Sequence, residues 1–247
     1  MIPLRDDNPT LGASLATFAI IGLNALAWVL LQGLGGEAAL ARSVCELGAI
    51  PGELLGRVPM GTVIPLGPRT ACVIGEPHWS LLLTSMFMHG GWFHILGNLW
   101  FLFVFGDNVE DAMGPARFVV FYLLCGLAAG LAHVVSDPAS AVPTVGASGA
   151  IGGVMGAYAV LYPRAPVHLL VLLGFIFTRV VVPAYLMLGY WFLLQVLGGI
   201  PMLAGAGGGV AFWAHVGGFA AGVALIPLFR DPARVEAHRL RVARHFR

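Results

Sequence analysis

From Asn8 to Gly36, and again from Val180 to Phe229, the chain carries no aspartate, glutamate, lysine or arginine. A soluble domain seldom sustains such runs, because about a quarter of its residues are charged. Here the charged fraction is 10%, against 58% hydrophobic, and the mean hydropathy is +0.87. Uncharged runs of this length are what a bilayer core of about 30 Å selects. The chain therefore reads as all-α, a polytopic membrane helix bundle.

Charges and glycines divide it into six expected spans, centred on 15–34, 92–106, 118–135, 147–162, 183–197 and 210–229. Residues Gly198 to Pro201 and Gly205 to Gly209 are expected to break the last long run in two. The shorter run Leu169–Phe177, bounded by Pro166 and Arg179, reads as interfacial or partly buried. Residues 1–230 then form one membrane domain, with a long loop at 35–91 and a basic tail at 231–247. All thirteen basic residues are arginine. With the N-terminus inside, ten of them fall on the cytoplasmic side and only Arg42, Arg57 and Arg69 outside, as the excess of positive charge in cytoplasmic loops requires. Both termini are expected in the cytoplasm, with the tail arginines either against anionic headgroups or serving only as a topology signal. The first span is too long for a removable signal peptide and lacks a small-residue cleavage site. A net charge of +1 without basic patches excludes a nucleic-acid partner. A compact core without a long targeting extension points to a bacterial-type cytoplasmic membrane. Cys45 and Cys72 share the outer loop, where an oxidising compartment permits a disulfide; Cys125 reads as packing.

Polar residues in hydrocarbon are costly and mark function by default. Three widely separated pieces place such residues at one end of an apolar segment: His89–His94 with Asn98, Gly146-Ala147-Ser148-Gly149, and Ala214-His215. The second, fourth and sixth spans all run inward, so these pieces converge in depth near the outer face. Inverting the topology would move the site without dispersing it. Ser148 heads a stripe with Gly152 and Gly156, and His215 heads one with Gly218 and Gly222. Small-residue stripes let helix backbones approach closely in lipid, so the fourth and sixth helices are expected to bring Ser148 to His215.

Serine needs a neighbouring base to become a nucleophile, and neutral histidine supplies one near pH 7. No carboxylate lies in the sixth span, so the pattern is a Ser148–His215 dyad. His94 and Asn98, four residues apart on one helix face, could donate to a developing oxyanion together with the Ser148 backbone N–H. Gly146 and Gly149 leave room beside the serine. His89 reads as structural, tying the first loop in place. The other histidines, His78, His133, His168, His238 and His245, receive no role. No cofactor or metal is implied.

At these residues the chain resembles the rhomboid intramembrane serine proteases, over about 79–229 and with the first span added. The resemblance implies a six-transmembrane core, Ser148 as nucleophile, His215 as base, and an oxyanion hole of His94, Asn98 and the Ser148 amide. It also implies single-pass membrane substrates cleaved at small residues, and a fifth helix that gates their access. Two departures stand out. Trp79-Ser80 replaces the Trp-Arg of many members, leaving the arginine's bracing role to another residue such as Arg69. Gly152 stands where some members stack an aromatic on the catalytic imidazole. A client-binding pseudoprotease would be expected to have lost the dyad, and a transporter to carry its polar groups across the membrane. A metalloprotease would need a His-Glu-x-x-His pattern that is absent.

Overall fold

The computed structural model describes residues 2–173, 176–203 and 210–245. In chain order the elements are β1 (Ile2–Asp6), α1 (Leu15–Leu30), α2 (Glu37–Leu47), α3 (Pro51–Leu54), β2 (Val63–Pro65), β3 (Ala71–Val73), α4 (Leu81–Thr84), α5 (Trp92–Met113), α6 (Pro115–Ser136), α7 (Ser148–Leu161), β4 (Pro166–Leu173), β5 (Ile176–Pro183), α8 (Ala184–Leu203), α9 (Phe212–Phe229) and α10 (Pro232–His245). Among the described residues α6, α8 and α9 are long and apolar enough to cross a membrane, and α1 and α7 are shorter apolar helices.

α7 is the centre of the bundle, packing on α5, α6, α8 and α9. Residues Gly149 to Tyr158 of it are all buried. Its 14 residues rise only about 21 Å, short of the hydrocarbon thickness. Gly146 N–H donates to the Ser85 carbonyl, and Thr144 pairs with Ala49. The loop between α1 and α5 thus holds down the approach to α7.

Two expectations need correction. The protein is not purely helical: β1, β4 and β5 form an antiparallel sheet in the order β1-β4-β5, and β2 pairs with β3. The described residues of the run Leu169–Phe177 lie within this sheet, with Leu170 opposite Arg179 and Leu169 opposite Val180. Two eight-residue stretches rich in Val, Leu, Ile and Phe favour strands. Pairing satisfies backbone groups that so short a stretch could not satisfy in a membrane helix. Second, Gly198 to Pro201 do not end a helix. α8 continues through Pro201 to Leu203, because a proline in the last turn removes little of the hydrogen-bond ladder. Gly198 and Gly199 lie against Phe212 and Trp213, and Trp213 Nε1 donates to the Gly199 carbonyl at 3.0 Å. The expected break at 205–209 lies outside the described residues.

α5 also runs seven residues past the expected end, through Asp107, Glu110 and Asp111. These carboxylates have local partners. Glu110 accepts from the backbone N–H groups of Ala16 and Thr17 at 3.0 and 2.7 Å, and from Thr17 Oγ1 at 2.8 Å. It thereby satisfies the free N–H groups that begin α1. Asp111 accepts from Leu11 N–H. Of the charges that read as a boundary, Glu110 caps another helix.

Between α1 and α5 the loop is folded. A Cys45–Cys72 disulfide joins α2 to β3. Gln32 Nε2 donates to the His89 carbonyl, and His89 N–H donates to Gln32 Oε1, both at 2.8 Å. Trp28 and Trp92 pack edge to face. Arg69 is exposed and makes no side-chain bond among the described residues, so it does not brace the loop; Gln32 and the disulfide do.

Candidate active site

α7 and α9 touch backbone to backbone. A Cβ placed on Gly218 would lie 1.9 Å from the Gly149 carbonyl oxygen, and one on Gly222 1.9 Å from that of Gly153. Gly152 and Gly156 face the His215 and Phe219 carbonyls at 3.1 and 2.3 Å by the same measure. All four striped glycines lie in this seam, and so does Gly153, which sequence reading passed over. Gly149 also meets Ala129 of α6. The approach carries the first turn of α9 against the start of α7, where Ser148 Oγ and His215 Nε2 are 2.7 Å apart.

Gly146 precedes this turn at φ +129°, a conformation open to glycine and strained for other residues. A side chain there would strike the His94 ring, whose Nε2 would be 2.6 Å from its Cβ. His94 Nδ1 accepts from Gly90 N–H at 3.2 Å. A neutral His94 therefore carries its proton on Nε2, the nitrogen turned toward Gly146 and the serine. Asn98, 7% exposed, leaves Nδ2 without a partner among the described residues. His94, Asn98, Ser148 and His215 line one cavity of about 740 Å³. A second cavity of about 40 Å³ adjoins Ser148 and is lined by small residues including Gly126, Ala129 and Gly130.

His89 stands apart from these groups. It is fully buried, packs edge to face on His94, and neither ring nitrogen has a partner among the described residues. Its tie to the first loop runs through its backbone and Gln32, not through the imidazole.

Sequence reading missed three residues of the site. His133, set aside as peripheral, lines the large cavity from α6; its place near the C-terminal end of that apolar helix, where a polar side chain is out of keeping, was the available signal. Gln195 of α8 accepts at Oε1, 2.8 Å from His215 Nδ1, and it is the lone amide side chain of an apolar helix. Trp191, one turn earlier, has its ring 5.8 Å from the His215 ring. Two of the histidines left without a role have partners elsewhere: His168 bonds Asp7 at 2.7 Å and the His238 ring packs on Tyr162.

A family model described as a rhomboid domain matches residues 76–232. The chain belongs to the rhomboid family. It is an integral membrane protein, with the polytopic fold that membership implies. Rhomboid protease GluP of Bacillus subtilis (strain 168) is 35% identical over 96 residues, which are 39% of this chain and 18% of that protein. Rhomboid-like protein 11, chloroplastic, of Arabidopsis thaliana is 40% identical over 77 residues, 31% of this chain and 27% of that protein. Presenilin-associated rhomboid-like protein, mitochondrial, of Mus musculus is 32% identical over 101 residues, 40% of this chain and 27% of that protein. The match to each of these rhomboid relatives thus spans under a third of its length.

Proposed function

We propose that this rhomboid-family chain is an intramembrane serine endopeptidase that hydrolyses peptide bonds in or beside the membrane segments of single-pass proteins. The observation that carries the reading is the 2.7 Å approach of Ser148 Oγ to His215 Nε2 across the glycine seam. In the proposed reaction, Ser148 Oγ attacks the scissile carbonyl carbon while its proton passes to His215 Nε2. The oxyanion is met by His94 Nε2–H, the Asn98 amide and the Ser148 backbone N–H. Collapse expels the amine, which takes the proton from His215 and leaves an acyl group on Ser148. Water then enters the cavity and attacks the acyl carbon while passing a proton to His215; the acid leaves as the bond to Ser148 Oγ breaks and Oγ takes that proton back. The small cavity beside Ser148 supports a preference for a small residue at the cleaved position.

The domain is read as six spans over 1–230, namely α1, α5, α6, α7, α8 and α9, with a tail at 231–247. Arginine placement supports cytoplasmic termini and a site open to the outer face of a bacterial cytoplasmic membrane. The Cys45–Cys72 disulfide supports the same orientation, since it needs an oxidising side.

The test is cleavage of a panel of reporter single-pass substrates in liposomes. Cleavage by the parent should fall by at least about a thousandfold, to background, in Ser148→Ala and in His215→Ala. Cleavage that survives Ser148→Ala refutes the nucleophile. A folded parent silent across the panel favours a client-binding protein.

A further inference from the structure

The dyad has no third residue on α7 or α9. An imidazole left to itself exchanges its proton between two nitrogens and can turn about its side-chain bonds. Only the form protonated at Nδ1 presents a lone pair at Nε2 to the serine. The structure therefore has to answer what selects that form, and the answer lies on α8.

We infer that Gln195 is the positioning residue of the base, holding neutral His215 in the Nδ1–H form with Nε2 turned to Ser148. The inference rests on the reading of Ser148 and His215 as nucleophile and base. Gln195 is 9% exposed, and its Nε2 donates to the Trp191 carbonyl at 3.2 Å, one turn back on its own helix. That bond fixes which end of the amide faces which neighbour. The nitrogen is engaged with a carbonyl, so the oxygen faces His215 Nδ1 at 2.8 Å. An amide oxygen only accepts, so Nδ1 must donate. The proton of the neutral ring is placed on Nδ1, and Nε2 is left to accept from Ser148 Oγ–H.

A second contact limits the ring's tilt. Gly152 offers no side chain on α7, and Trp191 of α8 fills the space: its ring edge would lie 3.7 Å from a Cβ on Gly152. The Trp191 and His215 rings are inclined by 40°. One turn of α8 thus supplies both the acceptor and the aromatic neighbour of the base. A carboxylate would do the acceptor's work with a buried negative charge, which is expensive without a permanent partner. A neutral amide gives the same direction without it.

The test separates orientation from packing. Gln195→Met keeps the length and removes the acceptor, while Gln195→Glu keeps an acceptor oxygen at the same reach. On a reporter single-pass substrate in liposomes, Gln195→Met should lower kcat roughly ten- to hundredfold, with KM within about twofold. Gln195→Glu should recover kcat to within about fivefold of the parent. In ¹⁵N spectra of histidine-labelled protein, His215 of the parent should be protonated at Nδ1 and not at Nε2, a preference lost in Gln195→Met. Parental kcat in Gln195→Met, or equal losses in both variants, overturns the inference. If Gln195→Met does not fold, a parent spectrum with the proton on Nε2 overturns it, and Nδ1 protonation with recovery in Gln195→Glu upholds it. Ser148-dependent cleavage indifferent to Gln195→Met defeats this inference alone; cleavage surviving Ser148→Ala defeats the dyad beneath it.

Discussion

Asn98 Nδ2 is buried without an acceptor among the described residues, a state that costs about 1–3 kcal/mol. In the proposed reaction the oxyanion supplies that acceptor. Asn98→Ala should therefore lower kcat roughly a hundred- to a thousandfold while leaving thermal stability equal or higher; a fall in stability with kcat unchanged would make it a packing residue. Gly146→Ala is expected to fail differently. It strains the backbone and drives a methyl into the His94 ring, so unfolding temperature and cleavage should drop together. At this scale the sequence was legible where polar residues stood out against apolar surroundings, as Ser148, His215 and Asn98 do. Gln195 was as exceptional within its helix but escaped notice because it is uncharged and belongs to no motif; its partner is 20 residues away on another element.

Helix α7 meets α9 most closely where glycine backbones face each other along the seam, so one methyl at the closest contact should act as a wedge. Gly222→Ala places a Cβ 1.9 Å from the Gly153 carbonyl and should cost about 1–3 kcal/mol, with cleavage falling as Ser148 and His215 part. Gly97→Ala, with nothing within 4 Å of the added carbon, should stabilise by up to about 1 kcal/mol; chemical denaturation in detergent distinguishes the two. Strand β1 offers a pH test. Burial pushes the Asp6 carboxyl up to about 6, partly offset by the hydrogen bond it accepts from Tyr158. A raised carboxyl binds its proton more tightly in the folded state, so docking of β1 should weaken as pH rises from about 4 to 6 and then level off. Amide exchange in residues 2–6 should accelerate over that interval beyond the intrinsic rate, and Asp6→Asn should abolish the excess. The boundary that misled was the end of α5, where a tertiary partner overrode the local signal: Glu110, which reads as the edge of a span, caps α1. The apolar stretch around Leu169 reads as interfacial or partly buried, and its strand pairing was not legible because the partners lie on other segments.

Taken whole, the molecule joins a glycine-bound helix core to a folded loop that restrains the approach to Ser148. The disulfide closes a segment with a sequence separation of 27, for which chain entropy gives about 3.5 kcal/mol. Cys45→Ser with Cys72→Ser should lower stability by up to that amount and loosen the loop over the cavity. Unchanged denaturation midpoints with and without reductant would show that Gln32 and the tryptophan pair suffice. That the three motifs come together around one cavity was legible in the sequence; the three-stranded sheet was not, because its pairing joins residues 2–6 to β4, more than 160 positions away. The central claim, that the fold makes Ser148 a nucleophile by setting His215 beside it, is tested most directly by covalent labelling. A fluorophosphonate should modify the protein once, and peptide mapping should place the adduct on Ser148, with labelling lost in His215→Ala. An adduct on another residue, or labelling of Ser148 at the parent rate without His215, would contradict it.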